Sequence, residues 1–131
     1  SAYWLAVIAG KTEPDFVVPN LIESLSDESQ YVQLKVMDGL AQIGPRAKGA
    51  VPVLISQLSN AEIVNRAAAA NALGRIGPDA REAVPGLIHA LDDRMYVAEC
   101  AADALCRIYP ETAEQHGLWI PDDVRSRNAR P

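Results

Sequence analysis

The chain has 131 residues and a net charge of −5, and 49% of its residues are hydrophobic while only 5% are aromatic. This length is enough for one domain with a core that needs no disulfide or metal cross-links. The acidic balance disfavours nucleic-acid binding, and no apolar run reaches the roughly 20 residues of a membrane span. The first residues lack the basic segment of a signal peptide, so the compartment stays unknown, with the cytoplasm slightly favoured.

Three similar segments mark an internal repeat. They are VVPNLIESL, AVPVLISQL and AVPGLIHAL, and their Val-Pro pairs recur every 33 residues. In each segment valine, leucine, isoleucine and leucine follow the i, i+3, i+4, i+7 spacing of an amphipathic helix. The middle set is Val51, Leu54, Ile55 and Leu58. Each segment therefore predicts the first helix of a repeat.

An alanine-rich segment follows each first helix after a polar turn, at 31–44, 64–77 and 97–109. Alanine has the highest helix propensity and lets helices approach closely, so these segments predict a second helix in each repeat. Gly44-Pro45 and Gly77-Pro78 end the first two. We expect the glycines to be left-handed and the prolines to stop the helix. The third repeat has Tyr109-Pro110 at this place.

The residues between each Gly-Pro and the next Val-Pro also have a helical composition, for example 78–82 (PDARE). Proline is accommodated only in the first turn of a helix. We therefore expect a short helical lead-in, a bend, and then the main first helix, which starts near each Val-Pro.

The repeat period divides the chain into six segments. Residues 1–13 match the end of a preceding half-repeat, and 14–45, 46–78 and 79–109 form repeats 1, 2 and 3. Residues 110–120 predict a C-terminal cap: a short helix closed by Gly117, then Leu118, Trp119 and Ile120. Residues 121–131 are polar and predict a mobile tail. The half-repeat suggests a fragment of a longer protein, either monomeric or weakly self-associating through an open N-terminal edge.

The 33-residue period, the two helices per unit and the recurring Val, Pro, Leu, Ile and Leu columns resemble HEAT repeats. The closest resemblance is to the short HEAT-like repeats of the phycobilisome lyase type, over residues 4–109, whereas the signatures of TPR and ankyrin repeats are absent. The resemblance implies an all-α fold: a right-handed α-solenoid, or alpha-alpha superhelix, of antiparallel helix pairs of the ARM/HEAT type. First helices would lie on the convex side and second helices on the concave side. Asn65 departs from the pattern, which usually has an aliphatic residue there.

No motif points to catalysis. The two histidines, His89 and His116, lie in different repeats without the spacing of metal ligands. Cys100 and Cys106 are about 9 Å apart along one helix, which is too far for a disulfide, so we expect free thiols with a packing role. No phosphate-binding loop or serine nucleophile motif is present. The acidic pair Asp92-Asp93 is interpreted as a solvated turn. We predict no catalytic residue, no metal and no cofactor.

Polar residues recur at matching positions of the second helices when Leu40, Leu73 and Leu105 are aligned. Two residues before each leucine there is an acidic or amide residue, and two residues after it there is an amide or basic residue. Both rows lie on the same helix face. The predicted concave binding face comprises Lys35, Asp38, Gln42, Arg66, Asn71, Arg75, Asp103 and Arg107. The alternative is a solvated face with i, i+4 pairs worth about 0.2–0.5 kcal/mol each.

The sequence thus predicts a non-enzymatic scaffold that binds a protein or peptide on the concave face. Trp4, Tyr31 and Tyr96 are candidate anchors for a partner, although packing at the edges is favoured for them. The resemblance implies an alternative role as a lyase-like or chromophore-handling subunit. A third alternative is a nucleic-acid-binding module, which requires a basic stripe.

Overall fold

The computed structural model describes residues 18–19, 21–23, 25 and 29–118. Within 29–118 the α-helices are α1 (Gln30–Ile43), α2 (Val51–Gln57), α3 (Ile63–Ile76), α4 (Val84–Ala90), α5 (Met95–Ile108) and α6 (Pro110–Gln115). Two 3-10 segments, Gly44–Ala50 and Gly77–Ala83, precede α2 and α4. The described residues contain no strand. The second helices of the three repeats are α1, α3 and α5, and they begin and end within two residues of the predicted bounds.

The two glycines that end α1 and α3 have positive φ, as predicted, but they are not left-handed helical. Gly44 has φ 74° and ψ −137°, and Gly77 has φ 85° and ψ −148°. Each is followed by proline, whose ring disfavours helical ψ at the preceding residue. The resulting conformation is nearly exclusive to glycine. At the equivalent position Tyr109 has φ −149° and ψ 80°, which any residue can adopt.

The predicted lead-in and bend are confirmed in repeats 2 and 3. The 3-10 segments are interrupted at Ala47 (φ −89°, ψ 17°) and Ala80 (φ −95°, ψ 23°), where the chain bends. The helices α2 and α4 then begin at Val51 and Val84 and carry proline in their first turn, where no backbone donor is needed. In repeats 2 and 3 the Gly-Pro pair therefore begins the lead-in and the Val-Pro pair begins the first helix.

The helices form two layers, and this confirms an all-α helical solenoid. The second helices α1, α3 and α5 lie side by side, and α2 and α4 pack on α3 and α5 from the other layer. Side chains from both layers are completely buried between them. Among these are Leu54 and Leu87 from the first helices and Leu40, Leu73 and Leu105 from the second helices.

The contact between α3 and α5 is the most extensive in the described chain. It depends on Gly74, because a Cβ atom at this position would lie 3.0 Å from the Cα atom of Ala104. The absence of a side chain lets the two backbones approach closely. The equivalent residues of the preceding interface are Ala41 and Ala72.

The short helix predicted after Pro110 is confirmed as α6, and Gly117 closes it with φ 70°. The N–H of Leu118 donates to the carbonyl of Ala113 at 2.9 Å, and the Leu118 side chain packs against the core. The predicted half-repeat at 1–13, Trp119, Ile120 and the tail at 121–131 lie outside the described residues. Of the helices that the structure describes, none has the length and apolar character to cross a membrane.

Candidate functional site

The helices α1, α3 and α5 together line a groove of about 610 Å³, which we call the second-helix groove. Its lining residues are Tyr31, Leu34, Lys35, Asp38, Val64, Ala67, Ala68, Asn71, Tyr96 and Cys100. All three second helices contribute, so the groove exists only because consecutive repeats are stacked.

Each second helix carries a stripe at positions i, i+4, i+7 and i+11, and the first residues of each stripe line the groove. The stripes are Tyr31, Lys35, Asp38 and Gln42 on α1; Val64, Ala68, Asn71 and Arg75 on α3; and Tyr96, Cys100, Asp103 and Arg107 on α5. This spacing keeps residues on one side of a helix. Tyr31, Val64 and Tyr96 therefore form an apolar end of the groove. Gln42, Arg75 and Arg107 form the polar end of the stripes, beyond the residues that line the groove.

The apolar end is exposed. Tyr31 is 69% accessible, Val64 47% and Tyr96 57%, and the neighbouring Met95 is 77% accessible. The preference for edge packing is therefore wrong for Tyr31 and Tyr96, while Trp4 lies outside the described residues. The amine of Lys35 lies 5.4 Å from the centre of the Tyr31 ring and makes a cation–π contact with it.

Cys100 is the groove's thiol, and it is half-buried, whereas Cys106 is buried in the core. Neither cysteine forms a disulfide. Burial raises the pKa of the Cys100 thiol, and the nearby Asp103 and Glu99 raise it further. A thiol in this state stays protonated near neutral pH and is a weak nucleophile. The Cys100 side chain also packs against the core, which is the packing role that the sequence predicted.

The polar and charged residues of the stripes pair mainly within their own helices. Gln42 Nε2 donates to Asp38 Oδ2 at 3.0 Å, and Arg107 Nε lies 3.1 Å from Asp103 Oδ2. Arg75 occupies the equivalent position on α3, but Asn71 replaces the carboxylate four residues earlier. Arg75 forms no ion pair with any residue in the described part of the chain. Arg75 is therefore an uncompensated cation beside the groove, four residues beyond the lining residue Asn71.

Arg66, which was also predicted to lie on the concave face, is not part of these stripes. It follows Val64 by two residues, so it leaves α3 about 160° away from the groove stripe. Its Nε and Nη2 donate to the two carboxylate oxygens of Asp93 at 2.7 and 3.1 Å. Its Nη1 donates to the carbonyls of Asn60 and Ala61 at 2.8 and 3.1 Å. Arg66 therefore ties together the turns that precede α3 and α5.

Asp93 is not the solvated turn acid that the sequence suggested, although Asp92 is exposed. The hydrogen bonds from Arg66 hold the pKa of the Asp93 carboxyl below its ordinary value, and the backbone N–H of Arg94 adds to this effect. The i, i+4 rule considers one helix at a time and could not reveal this contact between repeats.

Asn65, the departure from the repeat pattern, is completely buried between α1 and α3. Its Nδ2 donates to Gln33 Oε1 at 2.8 Å. Its Oδ1 has no hydrogen-bond partner among the described residues. The aliphatic residue expected at this position is present in repeat 3 as Val97, which is also completely buried.

Among the described residues, the two histidines do not form a metal site or a catalytic site. His89 is exposed on α4, and His116 is exposed at the end of α6. In the part of the chain that the structure describes, no three His, Cys, Asp or Glu side chains are grouped to hold a metal ion.

A family model described as HEAT repeats matches residues 18–113. The chain belongs to the HEAT-repeat family. Proteins of this family generally mediate protein–protein interactions and are generally not enzymes. No curated protein matches the chain at a significant level. The family match covers all the helices that line the second-helix groove.

Proposed function

We propose that this chain is a non-enzymatic interaction module whose second-helix groove binds a segment of a protein partner. One observation carries the proposal: Tyr31, Val64 and Tyr96 are exposed side by side on three consecutive second helices, at one end of a groove. Exposed aromatic side chains in a concave surface are typical binding hot spots, and clustered exposed apolar residues indicate an interaction surface.

The charges of the groove favour a protein partner over nucleic acid. The stripes carry two carboxylates, Asp38 and Asp103, beside three cations, so a phosphate backbone would meet negative charges as well as positive ones. The raised pKa of the Cys100 thiol favours binding over covalent catalysis in the groove. No described residue favours the chromophore-handling role that the phycobilisome lyase type implies.

Peptide selection tests the proposal. Random 16-residue peptides displayed on phage are selected on the purified protein, and the dissociation constants of synthetic winners are measured. We expect the double substitution Tyr31→Ser and Tyr96→Ser to weaken binding at least about 10-fold, equivalent to about 1.4 kcal/mol. The double substitution His89→Ser and His116→Ser is the control, because both rings are exposed outside the groove. Equal binding by the two double variants, or failure to select any peptide, would contradict the proposal.

A further inference from the structure

We infer that the occupant of the second-helix groove is an amphipathic helix that lies along α3, with apolar side chains near Val64 and a carboxylate near Arg75. This inference rests on the proposed function and specifies the partner's conformation and chemistry. Three properties of the groove carry it: its shape, the spacing of its stripes and its uncompensated charge.

The groove spans three neighbouring helices, and α3 is the middle one. The lining residues of α3 include Ala67 and Ala68, which are small, whereas α1 contributes Tyr31 and Lys35 and α5 contributes Tyr96. The middle helix is therefore the floor and its neighbours are the walls. A helix packs well on such a surface, because small residues permit axes about 8–10 Å apart and larger side chains on each side act as ridges.

The stripe spacing sets the register of the partner. The residues that α3 presents follow one another at intervals of four, three and four: Val64, Ala68, Asn71 and Arg75. A helix that packs along this stripe presents contacting residues at similar intervals. Two apolar residues at i and i+3 or i+4 would cover Val64 and Ala68. An acidic residue would lie about 11 residues from the first of them, because Val64 and Arg75 are about 16 Å apart along the axis.

The charge beside the groove determines which part of the partner lies near Arg75. The whole chain has a net charge of −5, yet the polar end of the stripes beside the groove presents two guanidinium groups. Arg107 is paired with Asp103, whereas Arg75 has no ion pair with a described residue. A carboxylate of the partner compensates Arg75, while a lysine at the same place is repelled. The apolar end therefore receives one end of the helix and Arg75 the other.

A charge-reversal experiment tests the inference with the selected 16-residue peptides. The winners should contain paired apolar residues and a glutamate or aspartate at the stated distance. We expect replacement of that acid by lysine to weaken binding to the natural protein at least 10-fold. The protein variant Arg75→Glu should restore the binding of the lysine peptide. Arg46→Glu, an exposed arginine outside the groove, is the control and should restore nothing.

Helix formation and placement are tested with the same peptides. A proline in the middle of the peptide should abolish binding, since it breaks a helix. Alkylation of Cys100 by N-ethylmaleimide at pH 8.5 should slow at least 5-fold when peptide is bound, while the buried Cys106 provides the internal reference.

The possible failures are distinguishable. A peptide that requires Tyr31 and Tyr96 but tolerates the proline and ignores Arg75→Glu would overturn the helical occupant and leave the proposed function standing. A peptide that ignores the two tyrosines and does not protect Cys100 would overturn both.

Discussion

The two interfaces between neighbouring second helices share one architecture but differ in chemistry. The α3–α5 interface is the more extensive, with Gly74 against the backbone of Ala104 and Val97 completely buried. At the position equivalent to Val97, the α1–α3 interface has Asn65, a buried amide that binds Gln33. One interface is thus closed by apolar packing and the other by a polar contact.

The edges of the interfaces differ as well. Gln33 and Arg66 are equivalent residues, 33 positions apart. Gln33 accepts a hydrogen bond from the buried Asn65, whereas Arg66 binds Asp93 in the next turn. The buried Oδ1 of Asn65 has no described partner, which costs about 1–3 kcal/mol. Because the stability of a solenoid is roughly a sum over units and interfaces, we expect the α1–α3 interface to open first.

The largest expected effect comes from breaking the stronger interface. Gly74→Leu places a large side chain where even a Cβ atom would be 3.0 Å from the Ala104 Cα, so the helices must separate. We expect the free energy of unfolding to fall by about 3 kcal/mol, measured by urea denaturation. Gly49→Leu is the control, because no atom lies within 4 Å of a Cβ built there. Equal losses in the two variants would show that the close approach is unimportant.

Arg66→Ala removes the link between the turns and should lower the free energy of unfolding by about 2 kcal/mol, since Asp93 and two carbonyls lose a charged donor. The neighbouring Arg94→Ala removes an exposed side chain and should change stability by less than about 0.5 kcal/mol. A double-mutant cycle with Asp93→Ala measures the coupling directly. Additive losses would mean that the ion pair contributes nothing of its own.

Asn65→Val should make the weaker interface resemble the stronger one. We expect the free energy of unfolding to rise by about 1 kcal/mol, because an unsatisfied buried oxygen is removed and half-buried Gln33 can bind water instead. Amide hydrogen exchange of α1 should slow in parallel. A loss of stability would indicate that the Asn65 amide is fully satisfied in solution.

The smallest expected effect is the pH dependence of the Arg66–Asp93 pair. The folded-state pKa of Asp93 is below its ordinary value of 3.8, so the unfolded chain binds the proton first as the pH falls. The contribution of this carboxylate is complete above pH 3.8 and is lost as the pH falls through the lowered pKa. The difference in unfolding free energy between the natural protein and Asp93→Asn should therefore shrink by up to about 1 kcal/mol from pH 7 to pH 3. A constant difference would contradict the lowered pKa.

The sequence was sufficient to predict the helices because proline and glycine mark their ends. Gly-Pro stops α1 and α3, and Val-Pro starts α2 and α4. These residues act through local sterics, which do not depend on the rest of the fold. The ψ values of Gly44 and Gly77 were missed because the following proline was considered only as a helix stop and not as a restraint on the preceding residue.

The candidate site was less predictable because it is formed between repeats. The stripes with Asp38, Asn71 and Asp103 were found by aligning the helices, but the apolar end was not. Tyr31, Val64 and Tyr96 occupy one column, yet valine and tyrosine do not look alike in an alignment. Arg66 was assigned to the groove by its charge, and only the position of the next repeat shows that Asp93 holds it.

The different ends of the second helices define which part of the chain can serve as a building block. Residues 46–78 end in Gly77-Pro78, which is equivalent to the junction at Gly44-Pro45. Copies of this unit joined in tandem would therefore repeat the same junction between successive units. Residues 79–109 end instead at Tyr109, whose ring stacks under the guanidinium of Arg81 at 4.8 Å and whose φ is negative. A longer synthetic array would therefore multiply the middle unit and keep the third as its terminal piece.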